Sequence, residues 1–419
     1  MAYTGTMVVI PTRNRATIAM NAIRSVLEQQ VENVRVMVSD NSTSETDRSA
    51  LADFCATSSD RRLRYVAPPE SLSMSVHWEW AIREALQFYP ASHFLYLTDR
   101  MMLRAGALRE VLSLAALYPD NVISYNHDRI IDNTEPIRVE QYPATERLLA
   151  IDTLRLSWLL SQAVIHPAVP RMLNCVVPRS VLNRIRERFG GVFSSISPDF
   201  NFCCRCLEVE HSILYYDKAP IFHYALDRSN GASVTRGEMT IDNADFTVNL
   251  PVDNSLRNFA TPIPQLNTAI NAAFHEYFLI RQQTNSERFF EVDREMYLQA
   301  NAREIQEVID PALRAERLSL LAANGYRNEI KNSRVPDAAE STFTQRARLK
   351  IKRLLTGPAT TTAWLFLART FAITPPGYNN FEFATRDQAI DYAKNISRGN
   401  VNRAPHDEAL LMAREMPKQ

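Results

Sequence analysis

The chain has 419 residues, among which 47 lysines and arginines balance 47 aspartates and glutamates. This balance excludes a net field that would attract nucleic acid or an anionic membrane, and we expect no nucleic-acid partner. The length predicts two or three domains. No apolar run is long enough to span a bilayer, and the first residues lack the pattern of a signal peptide, so we expect a cytoplasmic protein.

The first two predicted strands are short β-branched runs that end abruptly in polar residues. The run at 8–10 leads into Pro-Thr-Arg-Asn-Arg at 11–15, and the run at 34–38 leads into Ser-Asp-Asn at 39–41. Apolar residues at helical spacing in 16–29 connect them, which predicts a right-handed βαβ unit. Because ligands bind beyond the carboxyl ends of parallel strands, the polar residues predict a binding site.

Helices and strands continue to alternate along the next part of the chain. The predicted elements are, in order, helix 45–55, strand 63–66, helix 75–88, strand 93–99, helix 106–118, strand 121–125, helices 151–160, 179–189 and 198–210, and a strand pair near 213–216 and 221–224. Such alternation is typical of an α/β fold with a mostly parallel central sheet covered on both faces.

The composition changes after the predicted sheet, and we expect four parts: a first domain at 1–235, a mainly helical extension at 236–330, a linker at 331–342 and a helical region at 343–419. Residues 343–355 are basic and amphipathic, so this segment could lie at the inner face of the plasma membrane. The alternative is a solvated helix that packs on its own domain or on another subunit. The C-terminal region is thus a candidate acceptor, membrane-surface or oligomer contact.

Five cysteines are few, and an odd number favours reduced thiols over a disulfide framework. Cys203, Cys204 and Cys206 cluster on one predicted helix. No second cysteine pair or suitably spaced histidine completes a zinc site. We therefore expect these thiols to fill the core.

The first strand turn contains no glycine, which argues against a dinucleotide-binding fingerprint or a P-loop. The segments 11–15, 25–29 and 40–41 instead resemble the N-terminus of the family 2 glycosyltransferases, inverting enzymes with the GT-A fold. The resemblance extends over about the first 230 residues. It implies a GT-A domain, a nucleoside diphosphate sugar as donor, with a UDP-sugar favoured, and a hydroxyl acceptor.

By this resemblance, the polar ends of the first two strands bind the nucleotide. An aspartate such as Asp40 can accept a hydrogen bond from a pyrimidine, and Arg13 and Arg15 can reach phosphates. For Asp40 the alternative is a turn or helix cap after a strand. The residues that we assign to the nucleotide sugar are Pro11, Thr12, Arg13, Asn14, Arg15, Asp40, Asn41, Asp99 and Arg100.

The end of the fourth strand departs from the family pattern, which has an Asp-x-Asp signature here. Asp99 matches the first acid, but Met101 stands at the usual metal-ligating position, and a thioether does not suit a hard cation. A Mn or Mg ion is therefore uncertain, with Asp99 and His223 as weak candidate ligands. Arg100 offers a fixed charge that could stabilise the departing diphosphate, or it pairs with a surface acid.

The segment around Asp199 resembles the one that carries the catalytic base in the family. Pro198 and Asp199 also form an ordinary helix start, which is the structural alternative. We expect the positive helix end to keep the pKa of Asp199 low. Residues 231–236 are expected to form a mobile loop that closes over the donor phosphates.

These residues together predict an inverting glycosyltransferase of bacterial surface polysaccharide or glycoconjugate biosynthesis. Its partners would be a nucleotide sugar and a glycan or lipid-linked glycan acceptor, with a peripheral membrane contact and a homo-oligomer through the C-terminal helices as further candidates. One alternative is a catalytically degenerate GT-A protein that binds nucleotide as a scaffold. A nucleotidyltransferase is disfavoured, because no Gly-rich phosphate loop or acid pair is present.

Overall fold

The computed structural model describes residues 4–142, 144–238, 259–326 and 379–395. The predicted linker at 331–342 and the basic segment at 343–355 lie outside the described residues. The α/β class and the helical extension are confirmed. We number the elements in chain order.

The strands of the described residues are β1 (Thr6–Thr12), β2 (Val34–Asp40), β3 (Leu63–Val66), β4 (His93–Tyr96), β5 (Met101–Leu103), β6 (Ile123–Ile131), β7 (Ile137–Gln141), β8 (Leu148–Asp152), β9 (Cys175–Pro178), β10 (Ser212–His223) and β11 (Asn379–Phe383).

The α-helices of the described residues are α1 (Ala16–Leu27), α2 (Glu45–Thr57), α3 (Met74–Phe88), α4 (Ala107–Leu117), α5 (Thr153–Ser161), α6 (Arg179–Phe189), α7 (Pro198–Val209), α8 (Asn230–Arg236), α9 (Ala269–Thr284), α10 (Arg294–Ile305), α11 (Pro311–Ala323) and α12 (Arg386–Asn395).

The strands form one mixed sheet in the order β11-β7-β6-β9-β4-β1-β2-β3. β3, β2, β1 and β4 are parallel, as expected from the βαβ pattern. β9, β7 and β11 add to them in antiparallel pairings, and β10 pairs parallel to β6. The carboxyl ends of the parallel strands therefore meet at one edge.

The sheet has a core on each face because its central strands are apolar on both sides. Met7 and Val9 of β1 point into a cluster with α3, α5, α6 and α7. Val8 and Ile10 point into a second cluster with α1 and α4. Burial on both faces explains why this strand reads as a continuous apolar run.

Several elements differ from the sequence prediction. The expected strand pair at 213–224 is one strand, β10, with a register shift between Tyr216 and Ile221. The short strands β5, β7, β8 and β9 are not predicted, because three to five residues are often too few to show a period. Within the region expected to be helical at 343–419, residues 379–383 form β11, which pairs with β7 at the sheet edge.

The three clustered cysteines, Cys203, Cys204 and Cys206, are buried in the core against α3 and α6, which confirms the packing interpretation. All five thiols are free. Among the described residues, no helix is both long and apolar enough to cross a membrane.

Candidate active site

A cavity of about 470 Å³ lies where the parallel strands end. Its walls come from the ends of β1 and β4, from the start of α7, and from α8 and α9. Of the residues predicted for the site, those that line this cavity are Pro11, Thr12, Arg13, Arg15, Asn41, Asp99, Arg100, Asp199 and His223.

Asp99 lies at the floor of the cavity and is almost fully buried. Its Oδ2 accepts a hydrogen bond of 3.0 Å from the hydroxyl of Thr12, and Nη1 of Arg15 lies 3.3 Å from its Oδ1. The carboxylate is thus paired with a cation that comes from the turn between β1 and α1. A buried carboxylate needs such partners to remain charged.

Asn14 and Asp40 are not among the residues that line the cavity, and their contact with the nucleotide stays a prediction. Asp40 is fully buried, and its oxygens accept hydrogen bonds from the backbone of Ser42 and the hydroxyl of Tyr65, both at 2.9 Å. Asn14 accepts hydrogen bonds from the backbone N–H of Thr43 at 2.8 Å. Both residues shape the turns behind the cavity, which is the turn-forming alternative for Asp40.

Arg13 and Asn41 line the cavity and also fasten its wall. Asn41 donates a hydrogen bond of 2.7 Å to the carbonyl of Leu72 and accepts one of 2.9 Å from its N–H. Arg13 donates to the hydroxyl of Ser71 at 2.8 Å. The segment before α3 is therefore held against the end of β2.

Two histidines and several arginines come together on the inner side of the cavity. The rings of His127 and His223 lie 4.3 Å apart between centroids. Burial and the nearby Arg171 and Arg129 lower the pKa of His127 to about 3. Burial, His127 and Arg100 hold the pKa of His223 well below its usual value. Both rings are therefore neutral near pH 7, and the arginines carry the positive charge.

Asp199 lies in the first turn of α7, as predicted, with Pro198 at the helix start. The expectation that its pKa is low is wrong. Burial raises the pKa of Asp199, although Arg171 and the backbone N–H groups of the first turn oppose this effect. Desolvation of the carboxylate therefore outweighs the positive helix end.

Residues 7–155 match the family model described as "Glycosyl transferase family 2". These residues form a family 2 glycosyltransferase domain. The match spans β1 to the start of α5 and includes the ends of β1, β2 and β4 that line the cavity. No curated protein matches the chain.

Solved structures similar to the chain include TarS of S. aureus. Residues 1–349 of TarS in complex with UDP-GlcNAc are 14% identical, at a TM-score of 0.42, with 75% of this chain and 83% of that chain covered. TarS itself is 13% identical, at a TM-score of 0.38, with 76% and 53% covered. Likeness at this level transfers no function to the glycosyltransferase domain.

The side chains at the cavity do not fit a divalent metal ion. Among the described residues, no group of three or more His, Cys, Asp or Glu side chains is arranged to hold one. Asp99 is already paired with Arg15. The positive charge of Arg100 lies close enough to His223 to lower its pKa, and it would also repel a cation bound there. Met101 lies in the core, away from the cavity. The two candidate ligands, Asp99 and His223, therefore do not form a cation site by themselves.

The structure adds cavity residues that the sequence did not reveal. Arg171 and His127 line the inner wall, and Ala269 and Ala272 of α9 line it from the helical extension. Arg171 lies in a segment without a motif, so only the tertiary fold brings it to the domain's cavity. Residues 231–236, expected to be a loop, belong to α8, which lines the cavity through Gly231 and Val234.

Proposed function

We propose that the chain transfers a sugar from a nucleoside diphosphate sugar to a hydroxyl group of a glycan or lipid-linked glycan, with inversion at the anomeric carbon. One observation carries the proposal: the strand ends of the glycosyltransferase domain and the carboxylate of Asp199 line the same cavity. Donor and base can therefore meet in one pocket. A UDP-sugar is the favoured donor, by the family resemblance of the first turn.

The charge of the cavity suits a diphosphate. Four arginines, Arg13, Arg15, Arg100 and Arg171, line it against two aspartates, Asp99 and Asp199. Arg15 is paired with Asp99, and the four arginines still exceed the two aspartates by two positive charges. Guanidinium groups can stabilise the negative charge that develops on the leaving phosphate without a metal ion.

In the proposed step, Asp199 removes the proton of the acceptor hydroxyl as the oxygen forms its bond to the anomeric carbon. The bond from this carbon to the diphosphate breaks, and the nucleoside diphosphate leaves with the electron pair. Arg100 and Arg171 stabilise that leaving group. The raised pKa of Asp199 makes it a stronger proton acceptor than an exposed aspartate.

The finer assignments form part of the same proposal. Residues 1–235 would be the transferase domain and 236–330 a helical extension that completes the cavity through α9. Bacterial surface polysaccharide or glycoconjugate synthesis is the proposed setting, with a cytoplasmic enzyme at the inner face of the plasma membrane. A membrane contact and a homo-oligomer would both use the C-terminal region at 343–419.

Calorimetric titration with a panel of nucleoside diphosphates and their sugars, with and without EDTA, tests the proposal. We expect one nucleotide to bind equally in both conditions and its sugar to be turned over in the presence of a glycan acceptor. Binding without turnover would favour the nucleotide-binding scaffold. No binding of any nucleotide would contradict both.

A further inference from the structure

Glu276 of α9 is a fully buried carboxylate that holds the turn immediately before Asp199. It accepts hydrogen bonds from the backbone N–H groups of Ile196 and Ser197, at 3.1 and 2.8 Å. Its other oxygen accepts from the side-chain amide of Asn201 at 2.9 Å. All three donors belong to the segment that carries Asp199, and Glu276 itself does not line the cavity.

The turn that Glu276 holds has an unusual backbone. Ser195 has φ of 66°, in the left-handed region that serine rarely adopts. Its carbonyl accepts a hydrogen bond from the hydroxyl of Ser75 on α3, while Glu276 binds the next two N–H groups. Such a conformation persists only where surrounding contacts enforce it. The turn is therefore held between α3 and α9.

Asn201 is oriented by a second contact, so the network has a fixed direction. Its Oδ1 accepts a hydrogen bond of 3.0 Å from the N–H of Ser194, which leaves its amide to face Glu276. Arg205, one helical turn further along α7, is within electrostatic reach of Glu276 and donates to the hydroxyl of Ser194 at 2.6 Å. Burial raises the pKa of Glu276 to about 7 in spite of these donors.

A buried carboxylate is a costly way to fill a core, because its charge loses solvation. The gain here is directional: three donors fix the start of α7. We propose that Glu276 is a positioning residue, which holds the first turn of α7 so that Asp199 faces the acceptor hydroxyl. The inference rests on the proposed role of Asp199 as base. It makes the helical extension part of the catalytic unit.

The first test is E276Q in the full-length chain. Glutamine keeps one acceptor oxygen, but its NH2 group faces the NH2 group of Asn201, and neither can accept a hydrogen bond. The Asn201 amide cannot rotate to offer its oxygen without breaking its hydrogen bond to the N–H of Ser194. We expect kcat to fall about 10- to 100-fold, since small misplacement of a reacting group has effects of this size. The Kd of the donor should not change. E291Q is the control, because Glu291 lies on the surface of the same extension, paired with Arg281.

The double variant N201D/E276Q tests the hydrogen-bond pattern itself. The new carboxylate at 201 accepts from Ser194 and from the new amide at 276, so every donor regains an acceptor. We expect kcat to return most of the way to the wild-type value. N201D alone places a second carboxylate against Glu276, and their repulsion raises the pKa of the two groups. Protonation of one of them restores a hydrogen bond between them, so the activity of N201D relative to wild type should recover as the pH falls.

Hydrogen exchange of the peptide covering 191–202 gives a readout that needs no turnover. We expect faster exchange in E276Q and wild-type exchange in the double variant. Wild-type kcat in E276Q, or a double variant no more active than E276Q, would overturn the positioning role while leaving the proposed function intact. An inactive wild-type enzyme that binds no nucleotide would instead overturn the proposed function.

Discussion

The two walls of the cavity are held by different parts of the chain. Along the strand ends, Asn14 binds Thr43 and Asn41 binds Leu72, so residues of neighbouring turns hold one another. The start of α7 is held by Glu276, which lies 80 residues along the chain from Ile196. The first wall is built within the residues that the family model matches, and the second depends on a separate helical segment.

This difference decides which parts of a site a single sequence reveals. The first wall lies within the residues that the family model matches, so the polar turn at 11–15 and the pair at 40–41 carry a recognisable pattern. Glu276 lies outside the matched residues. It is the single acidic residue of α9, and nothing beside it in the chain marks it as a contact of α7.

The largest expected effect is that of D199N, which removes the proposed base from the second wall. We expect kcat to fall about 100- to 10,000-fold, the range for loss of a general base. The donor should bind with an unchanged Kd, because its contacts lie mainly on the first wall. Initial rates at saturating donor, together with calorimetric titration of the nucleotide, measure the two quantities.

D53N provides the control, since Asp53 is exposed on α2 and far along the sheet from α7. A D199N enzyme with near-normal kcat would contradict the assignment of the base. Loss of donor binding in D199N would show that the two walls are not separable.

The sequence predicts the parallel half of the fold well and the antiparallel half poorly. β1, β2 and β4 are apolar on both faces, with a helix at a clear period between the first two, so their order follows from the pattern. β7, β8 and β9 have only four or five residues each, and β7 and β8 are partly exposed. The places of β8 and β9 in the sheet depend on pairing with β10 and β4, which lie far away in the chain.

The same limit applies to the site. Thr12, Asp99 and Asp199 can be found because each stands next to a strand end or helix start with a family pattern. Arg171 cannot, since nothing near it in the chain marks it as a cavity residue. The direction of the pKa shift of Asp199 cannot be predicted from the sequence either, because it depends on how completely the fold removes solvent from the carboxylate.

The next effect in size is that of R171Q, which removes the guanidinium group of Arg171 from the inner wall of the cavity. The guanidinium of Arg171 lies 5.6 Å from the ring centroid of Phe200. Its positive charge lowers the pKa values of Asp199, His127 and His223. If it stabilises the leaving diphosphate, we expect kcat to fall about 100-fold, as for loss of one donor to a developing charge.

R109Q is the matched control, because Arg109 is exposed on α4, away from the cavity. Steady-state rates and nucleotide titrations should show that R171Q weakens binding of the nucleoside diphosphate as well. An R171Q enzyme with normal kcat and normal affinity would assign Arg171 to packing against Phe200, and would leave Arg100 as the main compensating charge.

The smallest expected effect is a difference in pH dependence between the two walls. His77 and His127 have pKa values lowered to about 3 by burial, so they stay neutral, and donor binding should be constant between about pH 5.5 and 8.

The base must be deprotonated to act, and the pKa of Asp199 is raised, so kcat should fall as the pH decreases through the pKa of Asp199. The decline should approach about tenfold per pH unit and begin above about pH 4, the ordinary range of aspartate. Because burial raises the pKa of Glu276 to about 7, the profile is measured in wild type and in E276Q. An acid limb that persists in E276Q belongs to Asp199, whereas one that vanishes belongs to Glu276. Donor affinity that falls together with kcat would contradict the separation of the two walls.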